Sequence, residues 1–219
     1  MLKSGRVTVD GAVIRDAAFS IDENTAHVQL NGEDVAYSPS LHLMLHKPAG
    51  VLTAAEDARR ETVIDLLPRQ ALARGCMPVG RLDIDTEGLL LFTTDGQLAH
   101  RLLSPKHWVE KRYQVIVDLP LSPLDVEAFA RGLPLSDFVA IPAALEIADD
   151  ARLAYVTLTE GKYHQVKRMF ASRNRRVLSL KRLSFGGVWL DPALAAGEWR
   201  ALSPSEVETL YAVSGIAHR

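Results

Sequence analysis

Between residues 41 and 184 the chain offers one short β-type segment after another, with few helical signals to separate them. Apolar, alternating or β-branched runs fall at 41–45, 88–93, 112–118, 139–147, 153–159 and 176–184. Three helices are predicted. Ser122-Pro123 with Asp125 opens one that Gly132 closes, Val166, Met169 and Phe170 recur at helical spacing within 163–172, and Ser203-Pro204-Ser205-Glu206 is a capping box. Strand and helix do not alternate regularly, so the pattern predicts an α+β fold with a mainly antiparallel, mixed sheet flanked by helices.

Ahead of this region, residues 5–14 alternate polar and apolar side chains and turn at Asp10-Gly11, the signal of a short hairpin, and 25–30 give another strand. Tyr37-Ser38-Pro39-Ser40 breaks the pattern. Residues 37–40 therefore read as a linker between a small β unit at 1–36 and a larger domain at 41–219. In the larger domain, Lys47-Pro48-Ala49-Gly50 forces a turn directly after the first strand.

A chain of 219 residues with 47% hydrophobic side chains can bury a sizeable core without help from metals or disulfides. The single cysteine, Cys76, excludes an internal disulfide and a cysteine-based zinc cage, and points to a reducing, cytoplasmic setting. No uncharged apolar run approaches the roughly 18 residues that span a bilayer, and the opening residues lack the apolar stretch of a secretory signal. The net charge of −2 conceals an uneven distribution: eight cations, Lys162, Lys167, Arg168, Arg173, Arg175, Arg176, Lys181 and Arg182, fall within 161–182 without an acid among them. Such a stripe either neutralises phosphates or forms the solvated face of a helix and strand.

Three constellations could carry chemistry. In Gly80-Arg81-Leu82-Asp83-Ile84-Asp85-Thr86-Glu87-Gly88 three acids and an arginine crowd one turn before an apolar strand. Like charges so close repel, which calls either for a function or for a turn that satisfies its own amides. Arg81 would favour an ionised Asp83. In the second, 160–170, a helix would place His164, Lys167 and Arg168 on one cationic face. No second histidine or acid stands at metal-ligand spacing, so no metal is expected. In the third, 100–113, basic residues interleave with Trp108 and Tyr113, a composition suited to phosphates and stacked bases.

Gly80-Arg81-Leu82-Asp83 followed by Ile84-Asp85-Thr86-Glu87-Gly88-Leu89 resembles the signature of the pseudouridine synthases of the RsuA type, which modify ribosomal RNA. Tyr163-His164-Gln165-Val166-Lys167-Arg168-Met169-Phe170 is similar to that family's second motif, and Lys111-Arg112-Tyr113 to the strand carrying its tyrosine. The resemblance covers 41 to about 210. It implies that Asp83 is the catalytic carboxylate, that Tyr113 stacks on uracil, and that Lys167 pairs with Asp83. Arg81 and Arg168 would position phosphates or loops, and His164 and Gln165 would belong to the RNA-binding motif. The reaction would need no cofactor, and the partner would be ribosomal RNA, bound by a monomer. Leu103-Ser104-Pro105-Lys106-His107 followed by Glu110-Lys111-Arg112-Tyr113 looks closer to members acting on 16S rRNA, possible substrates being the RNA itself or a small-subunit assembly intermediate, than to those acting on 23S rRNA. Residues 3–11 also resemble the later half of an S4 RNA-binding domain. The two helices that precede that half are missing from the sequence, so 1–36 is expected to form a truncated S4-like unit.

Two other readings compete. Asp83-Ile84-Asp85-Thr86 mimics the nucleophile loop of magnesium-dependent phosphohydrolases of the haloacid-dehalogenase kind, although Pro78-Val79-Gly80-Arg81-Leu82 is a poor preceding strand. A non-catalytic RNA-binding protein would use the acids at 83–87 only to shape a turn.

Overall fold

The computed structural model describes residues 2–22, 25–35 and 40–217, and the chain divides into two compact units, Met1–Ser40 and Leu41–Arg219. Of the segment read as a linker, 37–39 lie outside the described residues.

In the first unit, β1 (Val7–Val9), β2 (Ala12–Val13), β3 (Val28–Leu30) and β4 (Glu33–Asp34) form a sheet in the order β2-β1-β3-β4. Asp10 and Gly11 both adopt positive φ, 49° and 82°, as a two-residue hairpin turn requires. Asn31-Gly32 makes the corresponding turn between β3 and β4, with φ of 57° and 85°.

The second unit is built on one nine-stranded sheet. Its elements are β5 (His42–Lys47), α1 (Arg69–Ala73), β6 (Met77–Pro78), β7 (Glu87–Thr93), α2 (Gly96–Leu103), β8 (Lys111–Val117), α3 (Pro123–Arg131), β9 (Leu133–Pro134), β10 (Val139–Ala140), β11 (Ala144–Ile147), β12 (Leu153–Leu158), α4 (Gln165–Ser172), β13 (Val177–Phe185), β14 (Val188–Trp189), β15 (Trp199–Ala201) and α5 (Pro204–Ser214). The strand order is β11-β12-β8-β13-β7-β5-β15, with β14 on β13 and β6 on β7. Among the described strands, only β7 and β13 pair in parallel. The fold is α+β with a mixed, mainly antiparallel sheet.

Both faces of this sheet are covered, which explains why β5 and β7 read as continuous apolar runs instead of alternating ones. Leu43, Leu45, Leu90 and Phe92 face one core with Phe129 of α3 and Met169 and Phe170 of α4. Met44, Leu89 and Leu91 face the other with Leu98 and Leu102 of α2 and Leu210 and Tyr211 of α5. Burial of a Leu- or Phe-sized side chain contributes about 1.5–3 kcal/mol each, so the two layers fix the central strands firmly.

The parallel contact sets one strict requirement. At Gly88, φ is +105° and a Cβ would lie 2.2 Å from the Arg182 carbonyl oxygen, so β7 and β13 approach closely only because this residue has no side chain. The expected strand at 139–147 is interrupted: β10 ends at Ala140, and β11 starts at Ala144. Pro142 lacks an N–H, and the Ile141 N–H goes to the Glu160 carboxylate at 3.0 Å instead of to a ladder. The expected capping box of Ser203 with Glu206 forms, and Ser122, expected to open a helix, forms another with Asp125.

Candidate active site

The acid-rich loop before β7 is held from behind by β5 and the turn that follows it. Lys47, fully buried, donates from Nζ to the carbonyls of Pro48 (2.9 Å), Ile84 (3.2 Å) and Thr86 (2.9 Å). Burial pulls its pKa down to about 8, against the opposing pull of Asp85, Asp83 and Glu87. Thr53 Oγ1 donates to the Leu82 carbonyl at 2.9 Å and accepts from the Leu82 N–H at 3.2 Å, while the Gly50 N–H donates to Ile84 at 2.7 Å. The backbone on both sides of Asp83 is therefore fixed, and its carboxylate is presented from a rigid support.

Helix α4 meets this loop. Lys167 Nζ lies 3.1 Å from Asp83 Oδ2 and 2.5 Å from Asp85 Oδ1. One ammonium thus serves two of the crowded acids, which offsets the repulsion evident in the sequence. The hydrogen bond from Lys167 holds the Asp85 carboxyl below its ordinary pKa. Burial works against the Lys167 charge, but the hydrogen bonds to Asp85 and Asp83 outweigh it and raise its pKa. His164 Nε2 is 3.5 Å from Asp83 Oδ1, and Tyr163 stacks on the His164 ring at 3.8 Å between centroids.

Asp83, Arg81, Tyr113, His164, Gln165 and Lys167 line one pocket, walled further by Thr86, Leu158, Glu160 and Leu180. Tyr113 on β8 is only 8% exposed, so its ring is part of a fixed wall. The pocket combines the Asp83 carboxylate, backed by a cation, with a flat aromatic side and apolar floor residues. That arrangement can hold a planar heterocycle while the carboxylate works on the attached sugar.

Several expectations about individual side chains need correction. Helix α4 starts at Gln165, two residues later than expected, and His164 precedes it in a left-handed conformation (φ 49°). No single cationic face results: Lys167 turns to the two acids, whereas Arg168 pairs with Asp137 and donates to Ser136 Oγ at 3.0 Å. Arg168 is absent from the pocket lining and holds the loop between β9 and β10. Arg81 lines the pocket but is exposed and forms no ion pair with Asp83; the side chains beside Asp83 are the Lys167 ammonium and the His164 ring. Gln165 is buried, donating to Glu160 at 2.5 Å and accepting from the Lys162 N–H at 2.9 Å. It fixes the 160–162 segment.

The basic stripe is largely consumed by internal ion pairs: Arg173 and Arg175 with Asp125, and Arg176 with Asp118, while Arg182 is buried and donates to the Leu89 carbonyl. Sequence reasoning missed Lys47, Thr53 and Glu160. Only the abrupt end of an apolar strand in a lysine hinted at the first. In the third constellation Arg112 is committed to Glu146, at 2.8 and 2.6 Å, and residues 96–103 form α2, capped by Asp95, where no helix was expected.

Comparison with known proteins agrees with this geometry. Residues 41–172 match the family model described as RNA pseudouridylate synthase. The chain is 45% identical to the uncharacterized RNA pseudouridine synthase YtzG of Bacillus subtilis, covering 96% of this chain and 90% of that one. It is 40% identical to ribosomal small subunit pseudouridine synthase A of Vibrio cholerae over 96% and 91%, and 38% identical to that of Escherichia coli K12 over 95% and 90%. A crystal structure of a pseudouridylate synthase superposes with a TM-score of 0.74 at 36% identity, covering 95% of this chain and 90% of the other. This chain belongs to the RNA pseudouridylate synthase family.

Proposed function

We propose that the protein converts one uridine of ribosomal RNA to pseudouridine, with Asp83 as the catalytic carboxylate. The observation that carries this reading is the meeting of Asp83 and Tyr113 in one pocket, with Lys167 Nζ 3.1 Å from Asp83. Isomerisation breaks the bond from the sugar C1′ to N1, turns the uracil, and joins C5 to the same C1′; the C5 proton leaves and N1 gains one, so nothing else is consumed. The chemistry therefore calls for no cofactor. Asp83 acts at the sugar, either as a nucleophile on C1′ or as a base that removes the C2′ proton in a glycal route. Lys167 keeps the carboxylate oriented, and Tyr113 retains the free uracil by stacking.

A base stacked within folded RNA cannot reach this pocket, so the target nucleotide is extruded, at a cost of a few kcal/mol. Arg81, exposed at the rim and without an ion-pair partner among the described residues, is the pocket cation best placed to meet a phosphate. His164 and Gln165 shape the wall opposite, and Arg168 acts on RNA only through the loop it holds. Residues 1–36 serve as an S4-like unit linked through 37–40 to a catalytic domain at 41–219. The relatives named ribosomal small subunit pseudouridine synthase A favour 16S rRNA, free or in an assembly intermediate, acted on by a monomer in the cytoplasm. Among the described residues no helix is long and apolar enough to cross a membrane.

Pseudouridine mapping of 16S and 23S rRNA from cells with and without the gene tests this reading. One 16S uridine should lose its signal. A lost 23S site would keep the mechanism and change the substrate, and no change in either RNA would refute the assignment to ribosomal RNA.

A further inference from the structure

A second cavity lies next to the active-site pocket and shares Glu160 and Lys162 with it. Its other walls are Pro105, Lys106, Trp108 and Ile141. Trp108 stands out by its backbone, and it is 60% exposed. Its φ is 51°, a left-handed conformation that a bulky residue adopts only where the surroundings impose it. The preceding 3₁₀ turn, Pro105–His107, does so: Ser104 accepts the His107 N–H at 3.1 Å, and the chain must then reverse to enter β8. The indole belongs to neither core of the domain. Lys106 is exposed beside it, and Lys162 stands on the shared wall, 3.8 Å from Glu160 and over the Phe138 ring.

An apolar aromatic platform between cations, abutting a pocket for one extruded base, matches the chemistry of single-stranded nucleic acid binding: rings stack on bases and cations follow the backbone. We propose that the Trp108 cavity is a second nucleobase subsite, which stacks a base neighbouring the target uridine while Lys106 meets its phosphate. This inference rests on the proposed action on RNA. The two cavities share the Glu160 and Lys162 wall, which makes the occupant a nucleotide of the same strand as the base delivered to Asp83.

The test uses the Trp189→Phe, Trp199→Phe protein, in which Trp108 is the remaining tryptophan; both replaced side chains are at least 38% exposed. Fluorescein-labelled decauridylate is titrated at low salt, with binding read by anisotropy and Trp108 emission read in parallel, and an abasic decamer of equal length serves as control. The uridylate should quench Trp108, and the abasic strand should bind without quenching. In the otherwise unaltered protein, Trp108→Leu should weaken decauridylate binding about ten-fold, with most of the affinity restored by Trp108→Phe. Saturating binding without quenching, equal affinity of wild type and Trp108→Leu, or no binding of decauridylate at all would each overturn the subsite. Pseudouridine formation in rRNA by the same proteins separates the two readings. Modification by a protein whose Trp108 stays silent removes the subsite alone, and quenching without modification retains the subsite and removes the proposed reaction.

Discussion

Lys167 on α4 and Asp83 on the loop before β7 meet with Nζ 3.1 Å from Oδ2, and the same ammonium holds Asp85 at 2.5 Å. The loop is fixed from the opposite side by Lys47. The carboxylate is thus oriented by one lysine through its charge and by another through its backbone. Lys167→Met removes only the first support. Its kcat should fall about 10²-fold, with RNA affinity nearly unchanged, as single-turnover rates and filter binding would report. A loss of affinity equal to the loss of activity would contradict the local role.

The hydroxyl of Tyr113 receives no hydrogen bond from, and donates none to, a described residue, whereas its ring forms a buried wall of the pocket. Tyr113→Phe should therefore retain more activity than Tyr113→Ala. Equal losses in kcat/KM for the two variants would show that the hydroxyl, through a proton transfer, is what the reaction needs.

Lys111 is 8% exposed and donates to the Val109 carbonyl at 2.8 Å; burial, then the neighbouring Arg182, brings its pKa from 10.5 to about 8. A depressed lysine binds its proton less well in the folded than in the unfolded chain. It therefore destabilises the fold fully below pH 8, and that penalty disappears as pH rises through 8 towards 10.5. Lys111→Met lacks the linkage. Relative to the variant, the wild type should gain up to about 3 kcal/mol across this window, measured by denaturant unfolding at several pH values. A pH-independent difference would refute the shift.

At Gly88 the Arg182 carbonyl leaves no room for a Cβ, and φ is +105°. Gly88→Ala should lower stability by about 3 kcal/mol or prevent folding. A denaturation midpoint equal to that of the wild type would mean that β7 and β13 can part without loss.

What was legible in the sequence follows how local each signal is. The Asp10-Gly11 turn and the Ser122 and Ser203 caps form as expected because each is settled within a few residues. The break at Ile141-Pro142 was legible only in Pro142, since the capture of the Ile141 N–H depends on Glu160, 19 positions away. The eight-cation stripe misled for the same reason: its partners Asp118, Asp125 and Asp137 lie in other elements, so a run that looks free in sequence is mostly paired in space. The family resemblance placed Asp83, Tyr113 and Lys167 together, and they line one pocket. The sequence held no sign that Lys167 is shared with Asp85, or that Lys47 would be buried against three carbonyls.

We assign the isomerisation to the Asp83 carboxylate. Asp83→Asn keeps the size of the side chain and removes its charge, and 16S rRNA mixed with purified protein is assayed for pseudouridine over time. The variant should keep a melting temperature and RNA affinity close to wild type while its turnover falls by roughly 10²- to 10⁴-fold. Turnover near the wild-type rate would rule out that role for Asp83.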